Sequence, residues 1–548
     1  MTRITRRRLA AVAALATATV LAVTACAPRT NTTENAEQVD PTSLVTSLPA
    51  AKTPVDEVTW AVVEGEPQTL DPASSANVII PNLCDSLLTV EPDFTIEAGI
   101  AETAEWIDPV TFEITLRDDV SFWDGTPVTA SDVAYSLERN RTPASQWYAA
   151  FALISSIEAT DDDTVLVHFT APDSTFRDAL GGGGGAVMSQ TFGEAAGQEL
   201  GTSGGGLLCA GPYRLEDWKP GTEISVVANP DYWGGAPLTE RIRFVFVTDG
   251  ATLTSALTAG EIDGAFNVPP GSRQSFEAEG GEGRLIVGPS TASYSFGPTS
   301  ADSAAADPRV RQALSLAIDR KVYIDTVLQG LGEVQKTIVP PFVFGGMEAR
   351  DTYQEAYDAL PAPEVDLDRA KELIAESGID TSVPLVFAIP AGAKEFSQTA
   401  AIVQSAARDI GLTVAIDERQ PADFGALFYS PELRAGIDFV STVGYLEVPG
   451  VLGYPQLFML PAELGGIFNW SGYSNDEVTA DLQTARTSVD PDAAADAFVK
   501  AQEVFAPDQL QVTLAGAHHL TYLSDDLTGI TTSVAIYSSP WALHLGAE

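Results

Sequence analysis

The chain has 548 residues, 45% of them hydrophobic and 19% charged, and 75 acidic against 30 basic residues leave a formal net charge of −45. That length exceeds what one hydrophobic core sustains, and the composition is far from that of a disordered chain. So strong a polyanion repels phosphate backbones, which excludes nucleic acid as a partner.

Arg3, Arg6, Arg7 and Arg8 precede an apolar run from Leu9 to Ala25 that Thr17, Thr19 and Thr24 interrupt. The run is short for a membrane span of ~20 residues, and a basic start before a short apolar core marks residues 1–25 as an export signal. Val23-Thr24-Ala25-Cys26 resembles the lipobox of bacterial lipoproteins. That resemblance implies a lipid on Cys26 and an anchor at the outer face of the cell membrane. The alternative is an ordinary secreted signal with a chance cysteine. Thr5-Arg6-Arg7 is faintly similar to a twin-arginine export signal, so the export route stays open. Residues 26–56 then read as anchor and flexible tether, polar and rich in proline and serine.

Strand patterns begin at Glu57–Val63. Phe112, Ile114 and Leu116 alternate with polar residues, as do Val165, Val167 and Phe169, and again Ile242, Phe244 and Phe246. Helix starts punctuate them. Thr129 and Asp132 predict a capping box. Asp307-Pro308 predicts a helix whose Val310, Ala313, Leu314, Ala317 and Ile318 form one buried stripe. Asp366 predicts another, ended by Gly378, and Ser474 with Glu477 predicts a further capping box. The glycine runs 181–185 and 204–206 predict mobile or tightly turning loops. The sum is a mixed α/β chain of more than one lobe.

Beyond Cys26 the cysteines number two, Cys84 and Cys209. Outside the cytosol an even remainder admits a disulfide, and two independent buried thiols are the alternative. Neither has a second cysteine or histidine at metal-ligand spacing, so no metal site is expected. Gly201-Thr202-Ser203-Gly204-Gly205 matches the G-x-S-x-G hydrolase pattern, which would make Ser203 a nucleophile. Three glycines after the serine cannot start the helix that this elbow requires. The adjacent His518 and His519 would point to opposite faces of a strand and could not chelate together.

Several segments carry a family resemblance: Thr69–Ala73 (TLDPA), Asn82–Leu88, Leu116–Val133 (LRDDVSFWDGTPVTASDV), Gly211-Pro212-Tyr213, Asn229–Trp233 (NPDYW), Asp307–Arg320 and Asn469–Val478. Together they resemble the extracellular solute-binding proteins of the oligopeptide, dipeptide and nickel type, the receptors of ABC importers. The resemblance implies an α/β clamp of two lobes with an extra subdomain in the first. Residues 57–300 would form the first lobe, 301–515 the second, and 516–548 the return to the first. Cys84 stands where the family commonly has tyrosine and Cys209 just precedes Gly-Pro-Tyr, and their joint substitution favours the disulfide.

A monomeric, non-enzymatic receptor without cofactor follows. It would enclose a peptide between its lobes and deliver it to a permease and ATPase complex. In the oligopeptide branch an aspartate that pairs with the peptide's amino terminus precedes a Tyr-x-Asp/Glu-Pro stretch. Here Gly444 precedes Tyr445-Leu446-Glu447-Val448-Pro449, so that anchor is missing. A metal chelate, haem or an oligosaccharide is the alternative cargo, and a secreted serine hydrolase using Ser203 the alternative of another class. The matching positions imply Glu66, Tyr294, Tyr445, Glu447 and Trp470 as cleft residues.

Overall fold

The computed structural model describes residues 39–40, 43–279 and 282–548. The export signal 1–25 and Cys26 lie outside the described residues.

Three sheets organise the chain. In the first lobe Val55–Val62 runs parallel to Thr239–Phe246 on one side and to Gly264–Ala265 on the other. The hairpin of Tyr213–Lys219 and Glu223–Ala228 extends one edge, and His519–Ser524 with Gly283–Gly288 the opposite one. Trp60, Phe244, Phe266 and Trp541 fill its core, the two indoles 4.4 Å apart. The second lobe has six strands. Leu385–Pro390 lies between Val414–Arg419 and Phe439–Gly444, all parallel, and Ser293–Pro298, Val512–Ala517 and Gly332–Glu333 complete the sheet antiparallel. The helices Pro308–Ala317 and Lys394–Asp409 bury their apolar stripes against it.

The third sheet, in the order Ala101–Asp108, Thr111–Leu116, Thr164–Phe169, Ile154–Ala159, belongs to a subdomain inserted in the first lobe. Its core gathers the alternating residues Phe112, Ile114, Val165 and Val167 with Phe151 and Phe176. Cys84 and Cys209 stand where the chain leaves for this insertion and where it returns, and they are disulfide-bonded. The pairing is the one expected.

Local signals set most of the helices. The Asp132 carboxylate accepts the Thr129 N–H at 3.1 Å, and Asp307 accepts the Arg309 N–H at 2.9 Å. Gly378 takes φ +70° after Leu367–Ser377, as a left-handed cap requires. One start differs. Asn475, not Ser474, caps Asp476–Thr487, its carboxamide oxygen accepting the N–H groups of Glu477 (3.0 Å) and Val478 (3.2 Å). A carboxamide at the cap position reaches both orphan donors, which one residue earlier it could not. The stretch expected to be tether up to residue 56 is also pinned well before its end. Val45 N–H donates to Val287 and Leu48 N–H to Ile530, while both side chains pack on the first core.

The chain crosses between the large sheets twice, from Gly288 to Ser293 and from Ala517 to His519. The second sheet therefore begins at Ser293, ahead of residue 301. The crossings are adjacent, with the Ala517 N–H bonded to the Ala292 carbonyl at 2.9 Å. Two short neighbouring connections are where a clamp hinges. The subdomain also touches the second lobe. Phe94 stacks on Phe342 at 5.3 Å, and Asp173, fully buried, meets Arg486 at 2.7 Å.

Candidate functional site

In open α/β sheets, ligands bind outside the carboxyl ends of the parallel strands, where the chain turns and leaves a crevice. Both large sheets bring such ends to one place. Glu64 follows Val55–Val62, Asn267 follows Gly264–Ala265, and Tyr445 follows Phe439–Gly444. The Asn267 amide donates to the Glu64 carboxylate and, at 2.7 Å, to the Tyr537 hydroxyl. Tyr537, from the C-terminal segment, stacks on Tyr445 with centroids 4.5 Å apart and planes 21° from parallel. First-lobe, C-terminal and second-lobe groups thus meet in one cluster beside the hinge, where the Thr291 hydroxyl and the Leu446 backbone exchange hydrogen bonds of 2.8 Å.

The cluster is acidic and aromatic, and its groups are crowded without being sealed. Glu64 is exposed, yet desolvation by its surroundings raises its carboxyl above the ordinary value. Tyr445 is 38% exposed, while desolvation and the nearby carboxyls Glu447 and Glu64 push its phenol well up. Burial raises Glu447 to about 8. Among the described residues its carboxylate has no hydrogen-bond partner; only its backbone is held, the carbonyl accepting the Ser538 hydroxyl at 2.7 Å.

Glu447 also lines a cavity of about 270 Å³ between the subdomain and the second lobe, with Trp147, Asp178, Val448 and Gln456 in its walls. Burial raises Asp178 to about 7, the charge of Arg177 opposing and those of Glu348 and Asp173 reinforcing. The glycine run shapes this wall. A Cβ on Gly182 would lie 2.6 Å from the Trp147 ring and 2.8 Å from Val448, so a side chain there would displace the indole. The run is a tight turn, with Gly183–Gly185 a single 3₁₀ turn.

Of the five expected cleft residues, the structure brings Tyr445 and Glu447 together. Glu66 is placed at the hairpin of the first sheet, its carboxylate accepting the Trp218 indole N–H and the Gly221 N–H, each at 2.8 Å. Tyr294 sits half-buried on the rim of the second-lobe core, near Glu395. Trp470 lies under the Arg434 guanidinium, 4.1 Å from its ring, and packs on Phe428 and Phe468. Sequence reasoning missed Glu64, Asn267, Tyr537, Trp147 and Asp178. The one local sign was Asn267, whose φ of +53° suits asparagine directly after a strand.

Gly444 does stand where the amino-terminal anchor was sought, and Tyr454 fills the space. A Cβ at Gly444 would be 3.0 Å from the Tyr454 hydroxyl, which is buried without a partner among the described residues. Ser203 lies exposed in the turn between Gly201 and Gly206, and no strand-to-helix elbow forms there. Among the described residues no group of three His, Cys, Asp or Glu side chains could hold a metal ion, and no helix is long and apolar enough to cross a membrane.

The sequence pattern of the bacterial extracellular solute-binding proteins, family 5 (middle part), matches residues 95–457. The chain belongs to that family. Protein XP55 of Streptomyces lividans is 26% identical over 500 residues, 86% of each chain. The glutathione-binding protein GsiB of Salmonella typhi is 24% identical over 472 residues, 84% of this chain and 89% of its own. The oligopeptide-binding protein AppA of Bacillus subtilis, solved with a nonapeptide, superposes with a TM-score of 0.75 at 19% identity, covering 90% of this chain and 99% of its own. As a family 5 solute-binding protein, the chain is the receptor that presents a small solute to the permease and ATPase of an ABC importer. In this family 5 member the two large sheets are the lobes of an α/β clamp, and Tyr445 and Tyr537 meet beside its hinge.

Proposed function

We propose that this family 5 receptor takes a peptide-type ligand, carries it unchanged and performs no catalysis, and is held at the outer face of the cell membrane by a lipid on Cys26. The observation that carries the ligand class is the cluster at the facing strand ends. It offers a stacked pair of tyrosines, an amide and two carboxylates, a set that suits backbone amides and amino groups. A relative that binds glutathione and a similarly folded protein holding a nonapeptide support the same class. The Asn267 amide holds the Tyr537 hydroxyl, and Tyr445, stacked on Tyr537, stays 38% exposed and presents part of its ring to the cleft. Export and anchoring rest on the basic start, the apolar run and Cys26.

Native mass spectrometry of the protein purified from its own host tests the cargo. A co-purifying peptide is the expected result; a metal chelate, haem or sugar would replace the peptide reading. Globomycin, which blocks lipoprotein processing, should leave the uncleaved precursor with Cys26 intact; unchanged processing would remove the anchor.

A further inference from the structure

We infer that the cavity between the subdomain and the second lobe is a subsite for an organic cation, an ammonium or guanidinium group of the ligand, held between the carboxylates of Asp178 and Glu447 and against the Trp147 ring. The inference rests on the receptor reading above and names the chemistry of its ligand.

Three observations converge. The walls of the cavity contain two carboxyl side chains and no lysine, arginine or histidine. Neither carboxylate has a hydrogen-bond or ion-pair partner among the described residues, whereas Glu64, Asp85 and Asp263, whose values are also raised, each accept a hydrogen bond. Arg177, the cation that acts on Asp178, forms no ion pair with it. Two half-buried carboxylates without a protein partner are costly in their charged form, because burial removes the water that would solvate the charge. An entering cation supplies what both lack. The indole of Trp147 is the third element, since a cation over an aromatic face gains further attraction. Trp147 is fixed for it: its N–H donates to the Pro72 carbonyl at 3.2 Å, and Gly182 and Gly183 let the loop close on its ring.

The geometry also connects this cavity to the cleft. Glu447 acts on Tyr445 and Tyr537 while lining the cavity, so one carboxylate borders both spaces. A volume of about 270 Å³ admits an aliphatic amine with several waters, at ~30 Å³ for each water. Tyr454 occupies the place of the expected aspartate at position 444, which moves the demand for a negative partner onto these two groups.

Calorimetric titration of the full-length mature protein tests this with four probes: Ala-Ala-Ala amide, N-acetyl-Ala-Ala-Ala amide, N-acetyl-Ala-Lys-Ala amide and agmatine. The expected result is that a cationic peptide binds about 10-fold or more tighter than the neutral one, as a buried charge-assisted pair requires. Asp178→Asn should remove most of that preference while leaving the neutral peptide unaffected, and Glu447→Gln, which also borders the cleft, should remove most of the preference whatever it does to the neutral peptide. Preference for the free amino terminus or for lysine tells which amine enters. Equal binding of all three peptides overturns the subsite and leaves the peptide reading standing. Agmatine binding lost in both variants, with no peptide bound, upholds the subsite and overturns the peptide reading. Binding of no probe overturns both. Should a variant fail to fold, the wild type decides. At pH 7 a cation must expel protons from these raised carboxyls, seen as a buffer-dependent heat, and zero release overturns the proposal. The charged and titratable groups facing them are Arg177, Glu348, Asp173 and Tyr353 around Asp178, and Tyr445 and Tyr537 around Glu447.

Discussion

The contact of the subdomain with the second lobe is open to direct measurement. Asp173 is 0% exposed and Arg486 8%, measured on the side chains, and two guanidinium nitrogens reach one carboxylate oxygen at 2.7 and 3.2 Å. Arg486 further donates to the Ala149 carbonyl at 2.7 Å, while Asp173 also accepts the Thr175 N–H and hydroxyl. Arg486→Met strands a buried carboxylate, and Asp173→Asn strands a buried guanidinium. Removing one partner of such a pair costs about 3–5 kcal/mol. The two Thr175 donors that remain put Arg486→Met at the lower end. Unfolding entropy of ~2.1 cal/mol/K per residue, taken over ~500 residues, gives ~1 kcal/mol/K. Each single variant should therefore melt about 3–5 °C below the parent by circular dichroism at pH 7. The double variant leaves no isolated charge and should lose clearly less than the two losses summed. Single variants within 1 °C of the parent, or a strictly additive double, would refute the reasoning.

Three further outcomes follow from other features. Replacing Cys84 and Cys209 by serine opens a 125-residue loop and should cost about 4–5 kcal/mol in the chain-entropy picture, read as a lower denaturant midpoint that reductant reproduces in the parent. Glu447 holds its proton up to about 8 in the folded chain but only to the ordinary 4.5 when unfolded. Its contribution is thus present below 4.5 and lost as pH rises through 8, so Glu447→Gln should gain on the parent over that window and level off above it. The gap should be on the order of 1–3 kcal/mol once partial hydration is allowed for, and a gap that shrinks with rising pH would contradict the sign. Gly444→Ala should cost about 1–3 kcal/mol by pressing on Tyr454, and Tyr454→Ala in the same chain should remove that overcrowding; melting curves of both check it.

The scaffold was legible because its signals are local. Asp307-Pro308, Thr129 with Asp132, and the alternation at Phe112, Ile114 and Leu116 each act within a few residues, and the structure keeps them. The shift from Ser474 to Asn475 marks the limit of that reading, since both residues can cap and only the entry path of the chain chooses. The site was less legible because it forms from distant strand ends. Glu64, Asn267, Tyr445 and Tyr537 span almost the whole sequence, and no spacing joins them. Glu66 shows the difficulty: two residues from Glu64, it serves a hairpin turn instead. Tyr445 and Glu447 could be named from the sequence because a short motif carries both, whereas Asp178 and Trp147 face the cavity only once the subdomain has folded against the second lobe.

The cystine at the neck of the insertion has a mechanical consequence. A chain stretched from its two ends transmits tension through the sulfur–sulfur bond and bypasses everything between Cys84 and Cys209. The four-stranded module would stay slack while the large sheets unravel. About 430 Å of extension, 125 residues at ~3.4 Å each, would be withheld from a pulling trace until the bond is reduced. The chain thus carries its module on a covalent loop that no axial load can reach.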